Sequence, residues 1–134
     1  MKFPIEVSED PTAEEIATKG LAYLNSLKRQ CMVGDRCAYQ KGKGDEEERC
    51  VAGAFMPNGH PALKRNSDLA LVLQRYDDLP GWMYTHKEVL FHLQTIHDLP
   101  TSRFTKANLA RVRWAKQLME KHNIELTLDG PLFK

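Results

Sequence analysis

Four of the cysteines and histidines of this sequence are candidates to bind zinc or to act with a nucleophile: Cys37, Cys50, His60 and His97. Cys37 and Cys50 lie on either side of a charged stretch that contains two glycines, and an antiparallel hairpin there would let the two thiols face each other. Thiolate and imidazole are ligands that Zn²⁺ prefers, so these four residues are candidate metal ligands. A nucleophilic thiol would instead need His97 within hydrogen-bond reach, with an acid such as Asp98 to orient the ring.

The spacing of these residues favours neither kind of site. Structural zinc ligands usually come in close pairs, and Cys37 and Cys50 are far apart in the sequence. Asp98 follows His97 directly, and adjacent side chains of a helix diverge, so we expect Asp98 not to orient that ring. The residues therefore favour small core side chains for both thiols and a chain without a cofactor. Zinc stays the alternative.

Motifs for nucleotide binding and for common hydrolytic centres are missing from the sequence. It has no Walker loop, no G-x-G-x-x-G after a strand, no H-E-x-x-H and no nucleophile elbow. The only lysine–glycine repeat, residues 41–44, precedes an acidic run that would repel phosphate. The sequence therefore favours a binding protein over an enzyme.

The C-terminal part of the sequence is rich in basic residues. Apolar residues define one face of a helix there, and Arg111 falls within that face. A buried arginine needs a carboxylate, a cluster of carbonyls or a bound anion, and we expect an acid such as Asp98, Asp77 or Asp78. Anion binding by Arg111 is the alternative. The predicted binding surface comprises Arg103, Lys106, Arg111, Arg113 and Lys116. His97 also lies on an apolar helix face, which is typical of a core histidine.

Apolar periodicity and capping residues predict the elements that position these side chains. The helices are predicted at 10–31, 66–76, 85–98 and 102–122, a β-hairpin at 36–56, and a further strand at 124–128. We expect one domain, 1–134, with a mostly helical α+β fold: four helices and a small antiparallel sheet.

Composition narrows the class of protein. The chain has 134 residues, a net charge of +1 and 28% charged residues, which is ordinary for a globular protein. It has no apolar run long enough for a membrane span, and its first residues lack the apolar region of a signal peptide. Three cysteines, an odd number, fit a reducing compartment. We expect a cytoplasmic protein with no membrane contact.

Three short segments together resemble a group of short phage and bacterial proteins. The segments are C-A-Y at 37–39, R-C-V-A-G at 49–53 and L-Q-T-I-H-D at 93–98. The resemblance implies that the protein is encoded in a phage or bacterial genome, and it implies no particular reaction. If the protein is encoded by a phage, we expect it in the host cytoplasm. Residue by residue, it singles out Cys37, Tyr39, Cys50, Gly53, His97 and Asp98.

These observations predict a small phage-type accessory protein that binds a host or viral macromolecule, as an inhibitor or modulator. We expect a protein partner at the basic face of the last helix. One alternative is a nucleic acid or a nucleotide-like anion at the same face. The other is a thiol- or metal-dependent enzyme built on Cys37, Cys50 and His97.

Overall fold

The structure, a computed structural model, describes residues 2–33, 36–99 and 107–134. Within these ranges, the chain forms six α-helices, two antiparallel pairs of two-residue strands and two 3-10 turns, and all four strands lie between the first and second helices. The helices are α1 (Ala13–Ser26), α2 (Val51–Phe55), α3 (Leu69–Arg75), α4 (Gly81–Thr85), α5 (Lys87–Asp98) and α6 (Ala107–His122). The strands are β1 (Met32–Val33), β2 (Arg36–Cys37), β3 (Gln40–Lys41) and β4 (Glu48–Arg49), and the 3-10 turns are Gly44–Glu46 and Pro61–Lys64. The mostly helical α+β fold is confirmed, with six helices instead of four.

Helix α5 lies at the centre of the fold and contacts the five other helices. Its apolar residues at 3.6-residue spacing, Val89, Leu90, Leu93 and Ile96, are buried in one hydrophobic core. No helix among the described residues is long and apolar enough to cross a membrane.

Only the inner part of the hairpin predicted at 36–56 is present, as the antiparallel pair β3 and β4, and the predicted pairing of Cys37 with Cys50 is wrong. β2 pairs with β1, so Cys37 lies opposite Met32, and β3 pairs with β4. The chain then forms α2, whose five residues are all buried. A short apolar run that is buried all round has no period that distinguishes a helix from a strand, and this explains the error. Cys37 and Cys50 therefore do not face each other across a hairpin.

Other predicted bounds shift by several residues. α1 ends at Ser26 rather than at residue 31, because Leu27 adopts an extended conformation. The helix predicted at 85–98 is α5, which begins at Lys87, and the short α4 directly before it was not predicted. The helix predicted at 66–76 is the shorter α3. The predicted start of the last helix, residue 102, lies outside the described residues.

The segment 124–128 alternates between half-buried and exposed residues as a strand would, but it forms no ladder with any described part of the chain. Ile124, Leu126 and Leu128 pack against the core. The side chain of Asn25 holds the following turn: its amide nitrogen donates to the Thr127 carbonyl at 2.9 Å, and its oxygen accepts from the Gly130 N–H at 2.9 Å. The segment 124–128 therefore has the alternating burial of a strand but pairs with no strand among the described residues.

Candidate functional site

A cavity of about 540 Å³ opens beside α5, between the chain that follows β2 and the start of α3. The residues that line it include Cys37, Tyr39, Cys50, Asp68, Gln94 and Asp98. Four of these six are positions that the resemblance singles out, so the cavity is the candidate functional site.

The segments that carry the resemblance are in direct contact. Cys50 is the N-cap of α2, and its Sγ accepts from the Gly53 N–H at 3.3 Å. A Cβ added at Gly53 would lie 2.2 Å from the backbone oxygen of Tyr39, so only glycine allows this close approach. The side-chain oxygen of Gln94 accepts from the Ala52 N–H at 3.0 Å. The three segments thus form one unit, in which Gln94 joins α2 to α5.

Asp98 is held from two directions. Its Oδ1 accepts from the Nε2 of Gln94 at 2.8 Å and from the Nδ1 of His97 at 2.8 Å. The expectation that Asp98 would not orient its neighbour is therefore wrong. Asp98 is the last residue of α5, and Gln94, one turn earlier, holds its carboxylate over the helix end beside the His97 ring. The side chain of Asp98 stays 43% exposed.

His97 is fully buried, and both of its ring nitrogens are used. Its Nε2 lies 3.2 Å from the backbone nitrogen of Cys31. A backbone N–H can only donate, so Nε2 is the acceptor and the ring proton is on Nδ1, where it is donated to Asp98. His97 is a neutral core histidine, and it has no lone pair left to take a proton from Cys37.

The thiol of Cys37 is not activated. Burial, and secondarily the nearby Asp98 carboxylate, raises the pKa of Cys37 to about 12. At neutral pH the residue is a thiol, whereas a nucleophile must be a thiolate. Its Sγ lies 3.3 Å from the Sδ of Met32.

The ligand atoms of Cys37, His97 and Asp98 lie within 4.8 Å of one another, close enough to surround a metal ion. A metal on Nδ1 of His97 would move the ring proton to Nε2. Two donors, that N–H and the backbone N–H of Cys31, would then face each other with no acceptor between them. The arrangement does not fit a metal ion.

The predicted zinc set does not come together. His60 lies elsewhere: its Nε2 is 2.8 Å from an oxygen of Asp78, and its Nδ1 accepts from the Ala62 N–H. Cys50 is fully buried as the cap of α2, and burial raises the pKa of its thiol strongly. Each of these two residues stabilises its local turn.

Arg111 is fully buried, but its predicted acidic partner is wrong. Its Nε donates to the Ile96 carbonyl at 3.1 Å, one terminal nitrogen donates to the Leu99 carbonyl, and the other donates to the Asn108 side chain at 2.6 Å. The usual helical donor to Ile96 would be residue 100, which is a proline and has no N–H. Arg111 therefore caps the carbonyl end of α5 and is not part of an exposed basic surface.

The rest of the predicted basic surface is described only in part. Arg113 and Lys116 are exposed on α6. Arg103 and Lys106 lie outside the described residues.

A second buried arginine, Arg49, has a similar role that the sequence analysis missed. Its guanidinium donates to the carbonyls of Gly53 and Met56 at 3.1 and 3.0 Å and forms an ion pair with Glu47 at 2.6 Å. It also lies 4.5 Å from the centre of the Phe3 ring. The one signal was its place in R-C-V-A-G, directly before the cap of α2.

Gln94 and Asp68 are the other cavity residues that were not predicted. Gln94 is a polar residue on the buried face of α5, within L-Q-T-I-H-D, and that position was the available signal. Asp68 carried no signal beyond its place before a short apolar run.

No family model, no curated protein and no solved structure matches this chain.

Proposed function

We propose that this chain is a binding protein whose site is the cavity beside α5, and that it acts by holding a segment of a partner macromolecule there. The observation that carries the proposal is the convergence of C-A-Y, R-C-V-A-G and L-Q-T-I-H-D on one cavity, with Cys37, Tyr39, Cys50 and Asp98 in its lining. Residues far apart in sequence share one concave, partly polar site, as is typical of ligand sites.

The geometry favours binding over catalysis. The candidate base, His97, has both nitrogens in hydrogen bonds, and the candidate nucleophile, Cys37, has a raised pKa. An acid–base or nucleophilic role needs a free lone pair next to an activated group. Asp98, half-exposed and held in place, is better suited to orient a ligand.

The resemblance to short phage and bacterial proteins supports a host or viral macromolecule as the partner, and a phage-type accessory role as inhibitor or modulator. The proposed surface differs from the basic helix face that the sequence suggests. Nucleic-acid binding at that face has less support, because Arg111 is buried and each of its nitrogens donates to a carbonyl or to Asn108.

A peptide-display selection on the immobilised protein tests the proposal. Thr95 is exposed and lines the cavity, so Thr95→Trp should fill the site without adding a charge. Gln117→Trp on the exposed face of α6 is the matched control. We expect selected peptides to lose at least about 10-fold in affinity on Thr95→Trp, or about 1.4 kcal/mol, and to keep it on Gln117→Trp. A selection that enriches no peptide, or peptides that bind Thr95→Trp normally, contradicts the proposal.

A further inference from the structure

Building on the proposed function, we propose that the cavity beside α5 binds a protonated amine or guanidinium group, with Asp98 and Asp68 as its counter-charges. This is the chemistry of a lysine or arginine side chain of a partner protein, and also of a free polyamine.

The charge of the cavity is unbalanced. Two carboxylates, Asp68 and Asp98, line it, whereas no lysine, arginine or histidine is among the described residues of its lining. Neither carboxylate has a lysine or arginine within ion-pair distance in the described ranges, and the one ion-pair contact of Asp98 is with the neutral His97 ring. A lining with two carboxylates and no cation gives the cavity a negative charge, which favours a cationic ligand.

Asp98 is already oriented for a ligand. Gln94 and His97 both donate to its Oδ1, and the Cys37 thiol is a further side-chain hydrogen-bond partner of the carboxylate. The Asp98 side chain is still 43% exposed, so its two oxygens keep room for a donor that enters the cavity. A carboxylate whose rotamer is fixed before binding loses little entropy when a donor arrives. The two donors also come from α5 itself, so the orientation is set by the helix that contacts all the other helices.

Asp68 is at the N-cap of α3 but does not cap it. An aspartate at this position usually accepts from the N–H groups of the first helical turn, and the side chain of Asp68 makes no such bond. Its carboxylate is exposed and lines the cavity instead.

The other residues that line the cavity suit a cationic group carried on an apolar side chain. The Tyr39 hydroxyl donates to the Ser67 carbonyl at 2.7 Å. Burial chiefly, and the charges of Asp98 and Asp68 among the smaller causes, raises the pKa of this phenol far above its ordinary value, so Tyr39 stays neutral. The half-buried Phe91 and the buried Leu69 complete the lining and can pack against methylene groups or a ring-facing cation.

The test measures the binding of small probes by NMR titration of the full chain. The probes are blocked tripeptides, acetyl-Gly-X-Gly-amide, with lysine, arginine, norleucine or glutamate at X, and spermidine. We expect saturable shifts of cavity amides with the lysine and arginine peptides, and affinity at least about 10-fold weaker for norleucine, because one lost charge pair of about 1.4 kcal/mol corresponds to that factor.

Three variants locate the counter-charge. Asp98→Asn keeps an oxygen to accept from Gln94 and His97 and removes only the charge, so we expect a loss of about 10-fold. Asp68→Asn should cost less, about 3-fold, because a more exposed carboxylate is better screened. Asp77→Asn, which removes an exposed acid that does not line the cavity, should bind like the wild type.

The titration with spermidine distinguishes a protein side chain from a free polyamine as the source of the cation. Binding of the tripeptides assigns a protein side chain, and binding of spermidine without the tripeptides assigns a free polyamine; both support the proposed chemistry. Norleucine or glutamate binding as tightly as lysine overturns the cationic ligand but leaves the binding cavity standing. Absence of any binding, together with a failed display selection, overturns both proposals. If Asp98→Asn fails to fold, Thr95→Trp must abolish lysine-peptide binding in its place, and retained binding there contradicts the inference.

Discussion

The carbonyl end of α5 and the cavity beside it are built from neighbouring residues. Their polar groups differ in how much of their hydrogen-bonding capacity is already used. At the carbonyl end, the oxygens of Ile96, His97 and Leu99 accept hydrogen bonds from the side chains of Arg111 and Gln30. In the cavity, the Asp98 carboxylate is hydrogen-bonded but 43% exposed, and Asp68 leaves the N-cap bond unmade.

This difference separates polar residues that stabilise the fold from those that we propose to bind a ligand. A buried charge whose hydrogen bonds are satisfied stabilises the chain around it, and its removal leaves unpaired groups behind. A carboxylate that is held in place but only partly bonded, and that faces a cavity, can bond something that enters. Burial follows the same division, since His97 and Arg111 are fully buried, whereas Asp98 and Asp68 are exposed.

Removal of Arg111 should give the largest effect on stability. Arg111→Met leaves the carbonyls of Ile96 and Leu99 without this donor, and we expect about 3 kcal/mol of lost unfolding free energy in urea denaturation. Arg111→Lys should recover only part of it, because an ammonium cannot reproduce the planar fork. Arg113→Met, at an exposed position of the same helix, should change stability by less than about 0.5 kcal/mol. Equal effects of the two methionine variants would show that the carbonyl end of α5 does not depend on its cap.

A side chain at Gly53 should force the cavity-forming segments apart. Its Cβ would meet the Tyr39 backbone oxygen at 2.2 Å, so we expect Gly53→Ala to cost about 2 kcal/mol in the same assay. Gly81→Ala is the matched control, because nothing lies within 4 Å of its added Cβ. That change, in α4, should be neutral or slightly stabilising. Tolerance of alanine at Gly53 would contradict the close contact between α2 and Tyr39.

Alkylation of Cys37 tests whether the cavity is a reactive site. With its pKa raised to about 12, the thiol should react with iodoacetamide at pH 8 roughly 50-fold more slowly than an ordinary cysteine, after allowance for the greater nucleophilicity of a basic thiolate. Mass spectrometry of the native protein follows the modification, with the urea-unfolded protein as control. Rapid alkylation of Cys37 in the native state would support the thiol-enzyme alternative and contradict the binding proposal.

A smaller effect concerns the opposite side of α5, where His92 packs on α6. Burial lowers the pKa of His92, and burial together with Lys121 lowers that of His122. The folded state therefore takes up protons on these histidines less readily than the unfolded chain, which does so near pH 6.5, so stability is lost as the pH falls below that value. We expect the melting temperature to drop between pH 7.5 and 5.5, and to drop less in His92→Gln. An equal drop in that variant would place the acid sensitivity elsewhere.

The sequence predicted the long helices because their apolar residues repeat with the helical period. It did not predict α2, since V-A-G-A-F is buried on every side and has no period. The burial of Arg111 followed from the apolar face of α6, but its partners did not, because backbone carbonyls are not visible in side-chain patterns.

The candidate site was only partly predictable. The resemblance grouped three segments, and their contact through Gln94 and Gly53 appears only in the folded chain. The carboxylate of Asp98 is oriented by Gln94, one helical turn earlier. The carboxylate of Asp68 is available to a ligand because it does not cap α3. Neither property is a matter of residue type.

The most direct measurement is the ¹³C shift of the Asp98 side-chain carboxyl during titration with acetyl-Gly-Lys-Gly-amide. Our account predicts a saturable change at Asp98, a smaller one at Asp68, and none at Asp77. A carboxyl signal of Asp98 that does not move, or that moves no more than that of Asp77, would contradict the claim that this cavity is an open site for a cation.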